Sequence, residues 1–89
     1  MLERQLTVSN RLGLHARATA KLVQVLSGFG CNATLAAKGR EVNAKSIMGV
    51  MLLAAGQGTV VTVRTDGPDE AAAMDAVAAL FERRFDEEG

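Results

Sequence analysis

The stretch Gly13-Leu14-His15-Ala16-Arg17-Ala18-Thr19-Ala20 marks the point where a loop turns into the first helix of the chain. Glycine at its start is typical of a loop, and the alanines after the histidine are strong helix formers. Apolar residues then recur at spacings of three and four, as on one face of an amphipathic helix: Ala18, Leu22, Val25, Leu26 and Phe29. The pattern predicts a helix from about Ala16 to Ser27, with His15 at or just before its first turn.

His15 is the main candidate for chemistry, since the chain has one histidine, one cysteine and no tyrosine. Histidine has an ordinary pKa of about 6.5 and exchanges protons near neutral pH. A first helical turn has free backbone N–H groups and the positive end of the helix dipole, so it attracts phosphate and favours a neutral, nucleophilic imidazole. Arg17 can add its guanidinium to the same corner. The arrangement predicts a residue that takes a phosphoryl group covalently and passes it on.

Two separated segments resemble the signatures of one protein family. Gly13-Leu14-His15-Ala16-Arg17-Ala18 is similar to the phosphorylation-site signature of HPr, the histidine-containing phosphocarrier of the bacterial phosphotransferase system. Lys45-Ser46-Ile47-Met48-Gly49-Val50-Met51 is similar to the second signature of that family, which surrounds a serine. The resemblance covers essentially all 89 residues. It favours a phosphocarrier over the simpler interpretation of His15 as an incidental cap or surface residue.

The resemblance implies specific roles and partners. It implies that His15 is phosphorylated on Nδ1 by enzyme I, that enzyme IIA components then receive the phosphoryl group, and that no cofactor takes part. It implies that Arg17 contacts the phosphate, and that Ser46 lies where some bacteria phosphorylate HPr with an HPr kinase/phosphorylase. The backbone predicted to cradle the phosphate comprises Ala16, Arg17 and Ala18. The predicted docking surface for partners comprises Leu14, Ala20, Ile47, Met48 and Met51.

Two positions depart from the commonest pattern of the family. The family often has proline at the position of Ala18 and a small polar residue at the position of Leu12. Ala18 keeps the helix but lacks the preset φ angle of proline. These residues leave open whether the chain serves sugar uptake or nitrogen regulation.

Length and composition predict a single domain over residues 1–89, with 48% hydrophobic residues for its core. The single Cys31 is expected to be a small buried residue in a reducing cytoplasm. No signal peptide or membrane-spanning segment is recognised, and a monomer is expected. Residues 1–65 carry a net charge of +6 and residues 66–89 a net charge of −6. His15 lies in the basic part, which suits acidic partners and phosphoryl groups.

The remaining pattern predicts an α+β fold with the element order βαββαβα. Its simplest arrangement is an open-faced two-layer sandwich, in which three helices cover one face of a four-stranded, mainly antiparallel sheet. The last helix is expected to have Pro68 at its first position and to run to about Phe85, before a solvated tail of residues 86–89. The other predicted elements are strands Leu2–Val8, Cys31–Ala37, Arg40–Asn43 and Thr59–Thr65, a Lys38-Gly39 turn, and a short helix capped by Ser46 that ends near Leu53.

A small α+β module that binds RNA or DNA is the main alternative. The basic segment favours it, but the three phenylalanines fit helix positions better than an exposed stacking strand. A Ser46/His15/Asp66 hydrolase would lack a nucleophile elbow. One histidine and one cysteine fall short of the four ligands of a structural zinc site. Neither a metal nor an independent enzymatic activity is therefore expected.

Overall fold

Four strands form one sheet in the computed structural model, which describes residues 1–87. The strands are β1 (Leu2–Thr7), β2 (Asn32–Ala37), β3 (Arg40–Asn43) and β4 (Val60–Asp66). Their spatial order is β1-β4-β2-β3, and each neighbouring pair is antiparallel. The described sheet is thus wholly antiparallel, with β1 and β3 at its edges.

The two central strands, β2 and β4, bury every second residue. Ala33, Leu35 and Ala37 of β2 lie in the core, as do Val61 and Val63 of β4. Alternation of this kind buries one face of the sheet and leaves the other face in solvent. The helices pack on the buried face: α1 (Ala16–Ser27), α2 (Ile47–Leu52) and α3 (Glu70–Glu82). The predicted α+β sandwich and its element order are confirmed.

The last helix begins later than the sequence predicts. Pro68 lies outside it, and Asp69 is its N-cap residue. The side chain of Asp69 does not cap the helix. Its carboxylate accepts hydrogen bonds from the N–H groups of Gly30, at 2.7 Å, and Cys31, at 2.9 Å. These bonds tie the start of α3 to the segment that precedes β2, and they hold the pKa of the Asp69 carboxyl below its ordinary value.

Cys31 is 1% exposed, and the prediction that it is a small buried residue is confirmed. Burial is the main cause that raises the pKa of its thiol, followed by the hydrogen bond to Asp69. A protonated, enclosed thiol is a poor nucleophile. Separately, no helix within residues 1–87 combines the length and the apolar character needed to cross a membrane.

The C-terminal end corrects the prediction of a long helix followed by a solvated tail. Helix α3 ends at Glu82, and Phe85 lies in a 3₁₀ turn over Arg84–Asp86. The ring of Phe85 is 1% exposed and packs against Phe81, with 4.9 Å between the ring centroids. Burial of this ring holds the segment on the domain, so Asp86 and Glu87 do not form a free tail. Residues 88–89 of the predicted tail lie outside the described residues.

Candidate functional site

His15 is the N-cap residue of α1. Its backbone is extended, with φ −76° and ψ −178°, and its carbonyl accepts the N–H of Thr19 at 2.9 Å. The backbone N–H of Arg17 donates to Nδ1 of the imidazole at 3.2 Å. The ring thus takes the place of the serine or aspartate that caps most helices. Nδ1 therefore faces the N–H groups at the positive end of α1.

The loop before His15 is anchored on the segment that follows α2. Gly13 has a positive φ of 68°, and the N–H of Leu14 donates to the carbonyl of Ala55 at 2.8 Å. The hydroxyl of Thr19 donates to the carbonyl of Leu14 at 3.1 Å. These bonds fix the backbone on the N-terminal side of His15.

The side chain of Leu14 is 5% exposed and belongs to the core. Its inclusion in the predicted docking surface is therefore wrong, because a buried side chain offers a partner almost no contact area. Ala20, from the same predicted surface, is exposed on α1.

Glu87 contacts the other side of the imidazole. Its Oε2 lies 2.8 Å from Nε2 of His15, and its two carboxylate oxygens accept from Nδ2 of Asn10 at 2.9 and 3.2 Å. The hydrogen bond to His15 is the main cause that lowers the pKa of the Glu87 carboxyl, assisted by Asn10 and by the positive charge of Arg17. Neither Glu87 nor Asn10 was predicted as a site residue. The only signal for Glu87 in the sequence is the charge pattern, in which an acidic C-terminal segment follows a basic segment that contains His15.

The imidazole of His15 lines a surface groove with a volume of about 780 Å³. The side chain of His15 is 28% exposed there, so a partner can reach it. Three basic side chains line the groove, which favours an anionic ligand. The groove is lined by Arg11, Leu12, His15, Ala16, Arg17, Lys21, Asp86 and Glu87.

Ser46 is the N-cap residue of α2, as the sequence predicts. Its hydroxyl accepts the N–H of Gly49 at 3.1 Å. This short helix does not bury all of the apolar residues that follow Ser46. Met48, for example, is 78% exposed. The name α2 patch is used here for the exposed side chains Ile47, Met48, Met51 and Leu52. An adaptable apolar surface of this kind is typical of protein docking sites.

Comparison with known proteins connects these features to one family. The sequence model described as "PTS HPr component phosphorylation site" matches residues 2–83. The phosphocarrier protein HPr of Xylella fastidiosa is 70% identical over 88 residues, which cover 99% of both chains. A crystal structure of HPr from Thermoanaerobacter tengcongensis superposes with a TM-score of 0.96 at 42% identity and covers both chains completely. A crystal structure of an HPr dimer from the same organism superposes with a TM-score of 0.79 at 41% identity, covering 98% of this chain and 100% of the other.

These matches span the whole described fold, including His15 and Ser46. They do not support the alternative of a nucleic-acid-binding module. The buried rings of Phe81 and Phe85 agree with this, since neither ring is available for base stacking. The chain belongs to the HPr family, the phosphocarrier proteins of the phosphotransferase system.

Proposed function

We propose that His15 carries the phosphoryl group, which it accepts from the phosphohistidine of enzyme I and donates to enzyme IIA components. An Nδ1–P bond forms as the N–P bond on enzyme I breaks. The observation that carries the proposal is the position of Nδ1, which accepts the Arg17 N–H at the start of α1. Once Nδ1 is bonded to phosphorus it no longer accepts the Arg17 N–H. The phosphoryl group would then meet the N–H groups of the first turn, contributed by Ala16, Arg17 and Ala18, and the positive end of the dipole.

The same arrangement explains how a carrier can release what it binds. A hydrogen bond to a charged group contributes about 1.5 to 3 kcal/mol, and about 1.4 kcal/mol changes an equilibrium tenfold. The exposed Arg17 and one helix end therefore supply enough stabilisation to accept the phosphoryl group. A closed cradle with several charged donors would hold the group too tightly for a carrier.

The proposal is tested by incubating the chain with phosphoenolpyruvate and enzyme I, followed by intact-mass measurement before and after acid treatment. We expect a gain of one phosphoryl group that acid removes, because phosphohistidine is acid-labile. A reaction without enzyme I is the control. No gain in mass would contradict the proposal, and so would a gain that survives acid, which indicates a phosphorylated hydroxyl group.

Substitution of Arg17 by alanine is expected to slow transfer from enzyme I about ten- to hundredfold, the kinetic equivalent of one charge-assisted hydrogen bond. Arg17→Lys should recover only part of the rate, because an ammonium lacks the planar fork of the guanidinium. Stopped-flow measurement of phosphoryl transfer gives the rates. Arg40→Ala, in the exposed β2–β3 hairpin, is the matched control and should transfer at the unsubstituted rate. An unchanged rate in Arg17→Ala would show that the guanidinium does not contact the phosphoryl group.

We also propose that enzyme I docks on the α2 patch and Ala20, and that an HPr kinase/phosphorylase can regulate docking through Ser46. A phosphoserine at the N-cap of α2 would face the free N–H groups of the helix, so the fold would tolerate it. Its charge of about −1.5 to −2 would also lie beside Ile47, Met48 and Gly49. That charge would repel an acidic partner and resist desolvation in an apolar interface.

Substitution of Ser46 by aspartate is therefore expected to weaken binding to enzyme I about tenfold, equivalent to about 1.4 kcal/mol. Aspartate keeps the helix cap and adds the charge, whereas Ser46→Asn keeps the cap without the charge and is the matched control. Isothermal titration calorimetry with enzyme I measures both affinities. Equal affinities for the two variants would remove the electrostatic explanation.

The proposal includes a cytoplasmic location and action as a monomer. Phosphoenolpyruvate-driven transfer from enzyme I takes place in the cytoplasm, where a single thiol such as that of Cys31 stays reduced. A dimer is recorded for one related HPr. Sedimentation of the purified chain over a range of concentrations tests the monomer prediction directly.

A further inference from the structure

The segment after α3 holds an unusual backbone conformation. Arg84, Phe85 and Asp86 have positive φ angles of 54°, 55° and 61°. Consecutive non-glycine residues in this region are disfavoured and persist only where surrounding contacts hold them. Here the Phe85 ring is buried, and the ammonium of Lys21 donates to the Phe85 carbonyl at 3.0 Å and pairs with Asp86 at 3.3 Å. We call residues 83–87 the C-terminal strap.

The C-terminal strap positions the carboxylate of Glu87 next to the imidazole of His15. The side chain of Glu87 is only 13% exposed, and it is held by Asn10, which is itself fully buried. Nδ2 of Asn10 donates to the carbonyl of Gly13 at 2.7 Å as well as to Glu87. The Gly13 carbonyl and the Glu87 carboxylate can only accept, so these contacts fix the orientation of the Asn10 amide with Nδ2 toward both groups. Asn10 thus joins the C-terminal strap to the loop that carries the imidazole.

We propose that Glu87 is a positioning residue for phosphoryl transfer, which holds the proton of His15 on Nε2 and so keeps Nδ1 unprotonated for its attack on phosphorus. This inference rests on the function proposed above and adds a residue to it. A neutral imidazole carries its proton on one nitrogen only. The carboxylate can only accept, which places the proton on Nε2, and the Arg17 N–H can only donate, which requires a lone pair on Nδ1. Both contacts select the same tautomer.

Glu87 also acts on the phosphorylated state. When the Nδ1–P bond forms and the N–P bond on enzyme I breaks, the imidazole keeps its Nε2 proton and gains a positive charge. No proton leaves the ring. A carboxylate 2.8 Å from Nε2 stabilises that charge through a charge-assisted hydrogen bond. The lowered pKa of Glu87 keeps this carboxylate ionised at neutral pH. The other charged side chains that line the groove are Arg11, Arg17, Lys21 and Asp86.

The test uses the full ¹⁵N-labelled chain and the variants Glu87→Ala and Glu87→Gln. Glu82→Gln is the matched control, because it removes the same charge from an exposed position at the end of α3. Long-range ¹H–¹⁵N spectra of the imidazole report the tautomer without any phosphoryl transfer. Intact mass after equilibration with enzyme I and phosphoenolpyruvate reports the phosphoryl equilibrium. Thermal unfolding shows that each variant is folded.

We expect the Nε2–H tautomer in the unsubstituted chain and in Glu82→Gln. Glu87→Ala should show a larger share of the Nδ1–H tautomer, because only the Arg17 N–H contact then still selects Nε2–H. Glu87→Gln should keep the Nε2–H tautomer, since its amide oxygen can still accept. Its phosphorylation equilibrium should nevertheless fall about tenfold, because the charge is lost. The inference is overturned if Glu87→Ala keeps the tautomer populations of the unsubstituted chain, or if Glu87→Gln and Glu82→Gln share the phosphorylation equilibrium of the unsubstituted chain. If the unsubstituted chain accepts no phosphoryl group on His15, the proposed function is refuted. The tautomer spectra would still test the role of Glu87, because they need no phosphoryl transfer.

Discussion

Substitution of His15 by asparagine is expected to abolish phosphoryl acceptance from enzyme I and to leave the fold intact. The amide oxygen of asparagine can accept the N–H of Arg17, as Nδ1 of His15 does at 3.2 Å, and asparagine is among the best N-cap residues. An amide nitrogen is not a nucleophile, so the variant keeps the cap of α1 and loses the acceptor atom. Intact mass after incubation with enzyme I and phosphoenolpyruvate should show no phosphorylated species.

The alanine variant at the same position separates the two roles of the imidazole. His15→Ala should also fail to accept phosphate, and loss of the N-cap should lower its free energy of unfolding by about 0.5 to 2 kcal/mol. His15→Asn should unfold close to the unsubstituted chain in urea. Acid-labile phosphorylation in His15→Asn at the rate of the unsubstituted chain would show that another residue accepts the phosphoryl group.

Substitution of Gly13 by alanine is expected to lower the free energy of unfolding by about 2 to 5 kcal/mol, as the sum of backbone strain and overpacking. Gly13 has a φ of 68°, which L side chains rarely adopt. An added Cβ would also lie 2.6 Å from the Ala55 carbonyl oxygen and 2.7 Å from Cα of Gly56, both of which are backbone atoms. The loop would have to move away, and the hydrogen bond from Leu14 to Ala55 would break.

Gly39→Ala is the matched control for this prediction. Gly39 has a similar φ of 76°, but an added Cβ there would meet nothing within 4 Å. The control therefore measures the backbone cost alone, about 1 to 2 kcal/mol. Urea unfolding gives both free energies, and phosphoryl transfer by the folded fraction of Gly13→Ala should be slower because the same loop positions His15. Equal destabilisation of the two variants would show that the close approach at Gly13 is relieved without loss of stability.

The local parts of the fold could be predicted from the sequence. The bounds of α1 follow from the spacing of Leu22 and Leu26 and from the glycine after Ser27. The β2–β3 hairpin follows from Lys38-Gly39, whose φ angles of 55° and 76° suit a tight primed turn. His15 and Ser46 were recognisable as helix N-caps because capping depends on a few consecutive residues.

The parts that depend on distant residues could not be predicted in this way. Leu14 was placed on the surface, but the loop turns inward because its N–H pairs with Ala55. The C-terminal strap has positive φ angles without glycine, so no turn signal marks it. Glu87 lies 72 positions from His15, and a run of acidic residues is otherwise typical of a solvated tail. The burial of Phe85 and the contacts made by Lys21 and Asn10 bring the two side chains together, and all of these depend on the folded chain.

The α2 patch has a consequence for cells under oxidative stress. Met48 and Met51 hold their thioethers on the exposed side of α2, whereas Met74 is enclosed in the core. Peroxide converts a thioether into a sulfoxide, which is polar and disrupts methionine-rich contacts. Oxidant would therefore damage partner recognition before it reached the imidazole or the interior. Methionine sulfoxide reductases would then restore partner binding without new protein synthesis.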